Sequence, residues 1–230
     1  MRRIALVLLA ALPALAAAQE EADPTLLGAG VRSRPKFDGS AERALDLIPM
    51  IRYFGKTWFA RTTQNMLEGG ARWNVRPGLD AGAQVAYEAG PLDHDPDASI
   101  GVHVEGDHNF GPVPANGLLR LRQHVRSDRG LELDARANVG IYRGHGFLAG
   151  LYAQATWANE KHFESYYQVR ESGLLTTQFG AFGAYDITPR WVLFATVERH
   201  RLSDNAMSSP IVEQRSGSYV SASLAYRFPP

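Results

Sequence analysis

The sequence predicts an all-β fold, a transmembrane antiparallel up-and-down β-barrel of about 12 strands. Three observations support this fold class. Apolar and polar residues alternate with a period of two in segment after segment, which is typical of strands with two different faces. The links between these segments alternate between short and long. Aromatic residues gather beside the short links, as they do at a membrane interface.

Residues 1–18 have the pattern of a cleavable signal peptide. Arg2 and Arg3 form a charged start, Ile4 to Leu15 form an apolar run, and an alanine-rich cleavage site follows. The apolar run is shorter than the ~20 residues that a membrane-spanning helix needs. We therefore expect residues 1–18 to be removed on export and residues 19–230 to form one barrel domain in the cell outer membrane, in contact with its lipid.

Composition excludes several other classes of protein. The 24 basic and 24 acidic residues balance, so no overall charge favours a nucleic-acid partner. The chain has no cysteine, which excludes disulfides and a lipid-modified N-terminal cysteine. Mean hydropathy is only −0.23 although 45% of the residues are hydrophobic. A membrane barrel has such values because only every second residue of a strand faces lipid.

Residues 131–141 show the alternation most clearly. Their odd positions are Leu, Leu, Ala, Ala, Val and Ile, and their even positions are Glu, Asp, Arg, Asn and Gly. The same pattern recurs along the chain and predicts an even number of strands, as single-chain bacterial barrels require. Strands are predicted near residues 26–34, 47–54, 57–63, 68–75, 79–88, 100–110, 117–126, 131–141, 147–158, 174–186, 190–202 and 217–228.

The lengths of the links predict which end of the barrel faces the periplasm and which faces the outside. One set is mostly short and rich in Gly and Pro, and the other holds the long links, with short exceptions at 64–67 and 127–130. Outer-membrane barrels have short periplasmic turns and long outer loops. We therefore expect a periplasmic N-terminus. The predicted periplasmic links are 55–56, 76–78, 111–116, 143–146 and 188–189, and the long outer links are 35–46, 89–99, 159–173 and 203–216.

Aromatic residues flank the predicted periplasmic turns and favour a membrane barrel. The alternatives, a soluble β-sandwich and a lipocalin-like barrel, give no reason for aromatics to gather at strand ends. Tyr87, Trp157 and Tyr219 are candidates for a second belt at the outer interface. The predicted periplasmic belt contains Phe54, Trp58, Trp73, Phe110, Tyr142, Phe147, Tyr185, Trp191, Tyr226 and Phe228.

The last strand ends in a pattern that the barrel-insertion machinery reads. Leu224, Tyr226 and Phe228 alternate along one face and resemble the C-terminal signal of outer-membrane barrels. The two trailing prolines, Pro229 and Pro230, depart from that signal because Phe is usually the last residue. We therefore expect the insertion machinery to be a partner of the chain.

Charged residues on the polar strand faces are predicted to line the barrel lumen. In segment 117–126 they are basic, and in the next segment they are largely acidic, so a hairpin would pair Arg126 with Glu132 and His124 with Asp134. Two interpretations stay open: a lumen closed by salt bridges, which we favour, and a charged pore lining that selects solutes. The candidate residues are Arg120, Arg122, His124, Arg126, Glu132, Asp134, Arg136, His103, Glu105 and Asp107.

Two further patterns are weak candidates for chemistry. His200 precedes Ser203, as a lipid hydrolase of the outer membrane would need, but no G-x-S-x-G motif and no triad spacing accompany them. Residues 93–97 concentrate carboxylates that suit a hard cation, but they lack the EF-hand spacing. We predict no catalytic residue, no cofactor and no metal ligand, and therefore no enzyme.

Three stretches resemble the MltA-interacting protein (MipA/OmpV) family. Residues 27–40, LGAGVRSRPKFDGS, are similar to the family's opening GxGxxxxPxYxGS, with Phe37 where Tyr is common. Residues 47–53, LIPMIRY, are similar to its xPLIxxRY strand, and residues 208–216 are similar to its SPIV segment. The motif residues are Gly28, Gly30, Pro35, Phe37, Gly39, Ser40, Ser209, Pro210, Ile211 and Val212.

The resemblance implies an outer-membrane barrel and, from the family's namesake, a scaffold that links a lytic transglycosylase to a murein synthase in peptidoglycan remodelling. Some members are treated as porin-like, so a small-solute channel is the alternative. A lipid hydrolase is a third and weaker hypothesis. The N-terminal tail, Gln19 to Thr25, and the short turns are the periplasmic elements that a scaffold would use.

Overall fold

The computed structural model describes residues 24–63, 66–88 and 97–229. In these ranges the chain forms twelve antiparallel strands that close into one barrel, with β1 paired to both β2 and β12. None of the helices in the described residues is long and apolar enough to span a membrane. The strands are β1 (Leu26–Pro35), β2 (Arg43–Phe54), β3 (Trp58–Thr63), β4 (Met66–Arg76), β5 (Leu79–Glu88), β6 (Asp97–Phe110), β7 (Val113–His124), β8 (Leu131–Gly144), β9 (Phe147–Ala158), β10 (Gly173–Asp186), β11 (Trp191–Leu202) and β12 (Ser216–Arg227).

The predicted all-β class, the closed barrel and the strand number are confirmed. The predicted bounds differ by four residues at the start of β2 and by four at the start of β7, in the β6–β7 hairpin. We expected a link over 111–116, but Phe110 pairs with Val113, and Gly111 adopts a positive φ of 63° that allows a tight turn. The residues predicted to form the signal peptide lie outside the described ranges.

Alternation along the strands separates a lumen face from a lipid face. In β6, Val102 is 55% exposed and its neighbour His103 is 5% exposed. In β7, Leu119 is 51% exposed and Arg120 is 2% exposed. The apolar side chains are therefore on the outside and the charged ones inside, which is the reverse of a soluble barrel and is expected when the outer solvent is lipid.

The aromatic residues beside the short turns lie mainly on the outer face, where Trp58, Trp73 and Phe110 are exposed. Two residues that we predicted for the aromatic belts, Phe54 for the belt beside the short turns and Tyr219 for the outer one, do not lie on the outer face. Phe54 stacks on the inward Phe59 at a centroid distance of 6.2 Å, because the two residues are register partners on the lumen face. Tyr219 is 5% exposed and lies inside the barrel, so its predicted place in the outer belt is wrong.

The closing seam of the barrel explains the two glycines of the opening motif. A Cβ on Gly28 would lie 2.0 Å from the carbonyl oxygen of Leu224, and one on Gly30 would lie 2.1 Å from Oγ of Ser223. No side chain fits at those distances, so β1 approaches β12 this closely only because both residues lack a Cβ.

At the outer end, two long loops contribute helices that pack together. Helix α1 (Glu160–Tyr167) lies between β9 and β10, and α2 (Asp204–Met207) lies between β11 and β12. Phe163 and Ala206 are fully buried between them, together with Tyr167, Leu175 and Leu202. We call this packed region the outer cap; it consists of residues 35–43, 159–173 and 203–216. Its apolar core makes the long loops an ordered part of the fold.

Candidate functional site

Charged side chains meet across the lumen and connect strands that are not neighbours. Nη1 of Arg120, in β7, lies 2.7 Å from Glu68 in β4, and Nη2 lies 2.8 Å from Asp134 in β8. The carboxylate of Glu68 also pairs with Nε of Arg61, in β3, at 2.6 Å. These four groups form the lumen network, which spans the barrel from β3 to β8. Every charge in it faces an opposite charge, as buried ions require.

Arg122 extends the lumen network toward the outer end. Its guanidinium lies 2.7 Å from Glu132 and 3.3 Å from Asp134, and it also pairs with Glu88 of β5. The side chain is buried, so a single arginine holds three carboxylates from two strands. A planar guanidinium with five donors suits such a position better than lysine would.

The predicted register of the β7–β8 hairpin is wrong. Arg122 pairs with Glu132 and Arg120 with Asp134, so Arg126 lies outside the paired register and is exposed beyond the end of β7. The reason is the turn: β7 ends at His124, and residues 125–130, which include a 3₁₀ turn at Ser127–Arg129 and Gly130 at φ 79°, form a longer link than the predicted 127–130. His124 still reaches Glu132, diagonally, at 3.3 Å.

The remaining lumen candidates occupy different environments. His103 is buried and its ring meets Phe59 edge to face at 5.3 Å. Glu105 accepts Arg61 at 2.9 Å, and Arg136 lies 4.2 Å above the ring of Tyr152. Asp107 is exposed near the short-turn end of the barrel, where its carboxylate accepts from Asn116 at 3.0 Å.

A cavity of about 330 Å³ remains in the lumen beside the network. Its lining includes Arg52, Arg61, Glu105, Arg136 and Glu198, with apolar contributions from β2, β10 and β11. The lumen is therefore filled by side chains along one side and hollow along the other. The hollow has the size of a small organic molecule.

The two ends of the family-like sequence meet in the outer cap. The carbonyl oxygen of Gly39 accepts the backbone N–H groups of Glu213 and Gln214 at 2.8 and 2.9 Å, and Gln214 donates to the carbonyl of Ser40. Gly39 has a φ of 108°, and a Cβ there would lie 3.0 Å from both methyls of Val212. A glycine is thus required by the backbone and by the contact.

The other motif residues support the same contact. Pro35 is fully buried at the end of β1, and the carbonyl of Phe37 accepts the N–H of Ser40 at 3.0 Å, which closes the turn. Ser209 donates from Oγ to the carbonyl of Tyr167 at 2.5 Å and accepts the N–H of Ile211 at 3.3 Å. Pro210 is exposed between them. The motif residues therefore hold three outer loops together.

An ionic cluster lies beneath that contact. Asp38 accepts the hydroxyl of Tyr219 and lies 3.4 Å from Nδ1 of His200, while the other ring nitrogen of His200 lies 3.1 Å from Glu198. Burial favours a raised pKa for Asp38, but His200, the Tyr219 hydroxyl and Arg32 outweigh it and lower that pKa. The cluster fastens the turn at 37–40 to the barrel wall.

The serine of the hydrolase hypothesis has another role. Oγ of Ser203 accepts the backbone N–H of Ala206 at 3.2 Å and so caps α2. His200 faces carboxylates and stacks on Tyr219 at 3.9 Å. These contacts do not form the serine–histidine pair that nucleophilic catalysis requires.

A comparison with protein-family models settles the family. The model described as MltA-interacting protein MipA matches residues 27–228, nearly the whole chain. The chain belongs to the MipA family. A search of curated proteins finds no similar sequence.

Solved structures similar to this MipA-family barrel are outer-membrane proteins. An outer membrane channel from Pseudomonas putida F1 has a TM-score of 0.58 at 10% identity, over 90% of this chain and 96% of that one. The NanC porin has a TM-score of 0.56 at 12% identity, over 89% and 100%. The KdgM porin in complex with disordered oligogalacturonate has a TM-score of 0.50 at 10% identity, over 89% and 99%. At such identities the likeness establishes the fold alone, a closed β-barrel of the kind that these outer-membrane proteins have.

The C-terminal residues of this MipA-family chain lie at the end of the seam that carries the short turns. Leu224 is 42% exposed toward lipid, and Tyr226 packs edge to face between Trp191 at 5.3 Å and Phe228 at 4.9 Å. The backbone N–H of Phe228 donates to the carbonyl of Thr25 at 2.9 Å. The predicted insertion signal therefore also joins the last strand to the first.

Sequence reasoning missed several residues of the site. Glu68 was not singled out, although it alternates with other polar residues in β4, because nothing local places it opposite Arg120. His162 lies on α1 in a segment that we predicted only as a long loop. Of the acidic segment 93–97, only Asp97 lies in the described residues, where it is buried against His124 at 2.7 Å.

Proposed function

We propose that this chain is a non-enzymatic outer-membrane anchor that holds peptidoglycan-remodelling enzymes, among them a lytic transglycosylase, at the periplasmic face of the membrane. The observation that supports an anchor best is the lumen network. Arg120 of β7 and Glu68 of β4 pair inside the lumen at 2.7 Å, and Arg122 adds further ion pairs above them. Side chains held in this way fill one side of the lumen and narrow the path that solutes would otherwise have through the barrel.

The family supports the choice of partner, since its description names an interaction with MltA. A partner needs a surface, and the short turns offer one. Each of four turns bears an exposed cation: Lys56, Arg76, Arg143 and Arg190. We call these four residues the basic rim. Cations around a rim attract an acidic patch on a periplasmic enzyme and the carboxylates of peptidoglycan, and they speed encounter at low salt.

Affinity purification from solubilised outer membranes tests the anchor. The expected result is a lytic transglycosylase that is recovered with the wild-type chain and falls several-fold when all four rim residues become Gln. The matched control changes four exposed cations of the outer half to Gln, namely Lys161, Arg170, Arg199 and Arg201, and should not alter recovery. Equal recovery from both variants would contradict the role of the rim, and no murein enzyme with the wild type would contradict the anchor.

A porin-like channel is the second candidate, because a lumenal cavity of about 330 Å³ remains and the similar solved structures include porins. Planar-bilayer recording of the purified protein decides between the two. An anchor should give no discrete current at any voltage. If steps appear, Arg122→Gln should alter their size or ion selectivity when Arg122 lines the pore, and leave them unchanged when it is structural.

A further inference from the structure

We propose that His124, Glu132 and His162 form a binding site for a divalent transition metal of the Zn²⁺ type at the outer end of the barrel. His124 ends β7, Glu132 is near the start of β8, and His162 is on α1. All three side chains are buried, and one ligand atom from each lies within 4.8 Å of the other two. Two imidazoles and one carboxylate form a donor set that Zn²⁺ uses widely.

The distances between donors suit a small tetrahedral ion. Nε2 of His124 lies 3.3 Å from Oε2 of Glu132, and Nε2 of His162 lies 3.6 Å from Oε1. Ligand atoms at about 2.0–2.1 Å from a tetrahedral Zn²⁺ lie about 3.3–3.4 Å from one another. The two histidines approach different oxygens of the carboxylate, and the three ligand atoms lie within 4.8 Å of one another, so side-chain shifts of about 1 Å would bring them to this spacing around one ion.

The outer contacts of both histidines turn Nε2 toward the site. Nδ1 of His162 lies 3.2 Å from the carbonyl oxygen of Arg129, which only accepts, so Nδ1 carries the proton. Nδ1 of His124 lies 2.7 Å from Oδ2 of Asp97. Metal-bound histidines have this arrangement: the far nitrogen donates to a carboxylate or a backbone carbonyl, and the near one keeps a lone pair for the metal.

Arg122 occupies only one side of Glu132. Its Nη2 lies 2.7 Å from the carboxylate, on Oε2, while Oε1 faces His162. The carboxylate can therefore bind a metal through Oε1 and keep its ion pair through Oε2, as carboxylate ligands with a second hydrogen-bond partner do. Three protein ligands leave a fourth position for water.

A metal at this site would fasten the outer cap to the barrel. Oδ1 of Asn159 accepts the N–H of His162 at 3.2 Å and that of Leu131 at 3.0 Å, which fixes the start of α1 against β8. The imidazole of His162 therefore has a defined position above the β7–β8 hairpin. An ion bound by these three residues would crosslink α1, β7 and β8.

Calorimetric titration of the purified full-length protein in detergent with Zn²⁺ tests the site. We expect one equivalent to bind, and His124→Gln and His162→Gln each to weaken the affinity at least about 100-fold, with Asp97→Asn weakening it about 10- to 100-fold through its contact with His124. Two controls should bind as the wild type does. His200→Gln removes a histidine that is also buried beside carboxylates, and His108→Gln removes an exposed one.

A second readout separates a site from a folding defect. Zn²⁺ should slow proteolytic cleavage in the loop 159–173 of the wild type and have no such effect on His162→Gln. Far-UV circular dichroism confirms that each variant retains its strands, and Asp97→Asn replaces any ligand variant that does not fold. No Zn²⁺ binding by the folded wild type, or equal binding by wild type and a folded His162→Gln, would overturn the proposal, as would a loss of binding in His108→Gln, which would reveal an adventitious surface ion.

Discussion

Arg120 and Glu68 form an ion pair across the lumen at 2.7 Å, although two strands of the barrel, β5 and β6, lie between their own. Both side chains are almost completely buried, at 2% and 0% exposure. The pair therefore joins two walls of the barrel directly, away from bulk water. Removing one partner leaves the other charged and buried, which costs more than the pair itself contributes.

The first prediction concerns the stability of this pair. Arg120→Met should lower the free energy of unfolding by about 3 kcal/mol, because Glu68 and Asp134 each lose a cation in a buried setting. Glu68→Gln introduced together with Arg120→Met should restore part of the loss, and the Glu68→Gln single variant completes the double-mutant cycle that gives the coupling energy. Urea unfolding of the protein in detergent micelles, followed by tryptophan fluorescence, measures both.

Arg170→Met is the matched control for that measurement. Arg170 pairs with Glu164 at 3.3 Å, but its side chain is 78% exposed, so solvent screens the pair. Its replacement should change stability by less than about 0.5 kcal/mol. Equal effects of the two substitutions would mean that the lumen network contributes nothing beyond a surface contact.

The strands could be predicted from the sequence because each one has its own alternation of apolar and polar residues, which does not depend on distant parts of the chain. The predicted bounds of β5 and β9, residues 79–88 and 147–158, agree with the structure. The register of the β7–β8 hairpin could not be predicted in the same way. It depends on the turn, which takes up residues 125–130, so Val125 and Arg126, which the alternation assigned to a strand, lie beyond the end of β7.

Contacts across the lumen and within the outer cap also could not be predicted from the alternation within single strands. The pair of Arg120 with Glu68 depends on which walls face each other after closure, a property of the whole barrel. His162 was missed because a loop segment has no required period. The family motifs are visible in the sequence, but the contact between Gly39 of the first motif and Val212 of the last depends on how the outer loops pack together.

The second prediction concerns the closing seam. Gly28→Ala should destabilise the barrel by about 1–3 kcal/mol, since the added Cβ would lie 2.0 Å from a carbonyl of β12 and force the strands apart. Gly117→Ala is the control, because a Cβ at that position in β7 meets nothing within 4 Å. Urea midpoints and the fraction of folded, heat-modifiable protein on gels compare them. If Gly28→Ala were as stable as Gly117→Ala, the close approach of β1 to β12 at Gly28 would be refuted.

The third prediction concerns insertion. Phe228→Ala should lower the amount of folded protein in the outer membrane several-fold, because it removes an aromatic ring from the C-terminal signal and from the contact with Tyr226 at 4.9 Å. Phe110→Ala removes an aromatic that is 65% exposed at the same interface but outside the signal. It should have the smaller effect if the insertion machinery reads the C-terminus, and an equal effect if only the belt matters.

The last prediction concerns acid. The pKa of Asp38 is lowered in the folded protein because His200, Tyr219 and Arg32 together outweigh its burial, so the carboxylate contributes stability above its ordinary pKa of 3.8. That contribution is lost as the pH falls through and below this value. Proteolysis in the outer cap should therefore be faster at about pH 3 than at about pH 6, with an acid-active protease whose activity is calibrated at both values.

Asp38→Asn is the variant that isolates this group. It keeps the shape of the side chain but removes the charge that faces His200 and Arg32, so it should cost about 1 kcal/mol near neutral pH, a modest value because the side chain is 26% exposed. As the pH falls below 3.8, the stability that the ionised carboxylate gives the wild type is progressively lost, and the difference between the two proteins should shrink. A difference that is constant from neutral to acid pH would show that the turn at 37–40 is held by its backbone contacts with Glu213 and Gln214, and that the ionised carboxylate adds nothing.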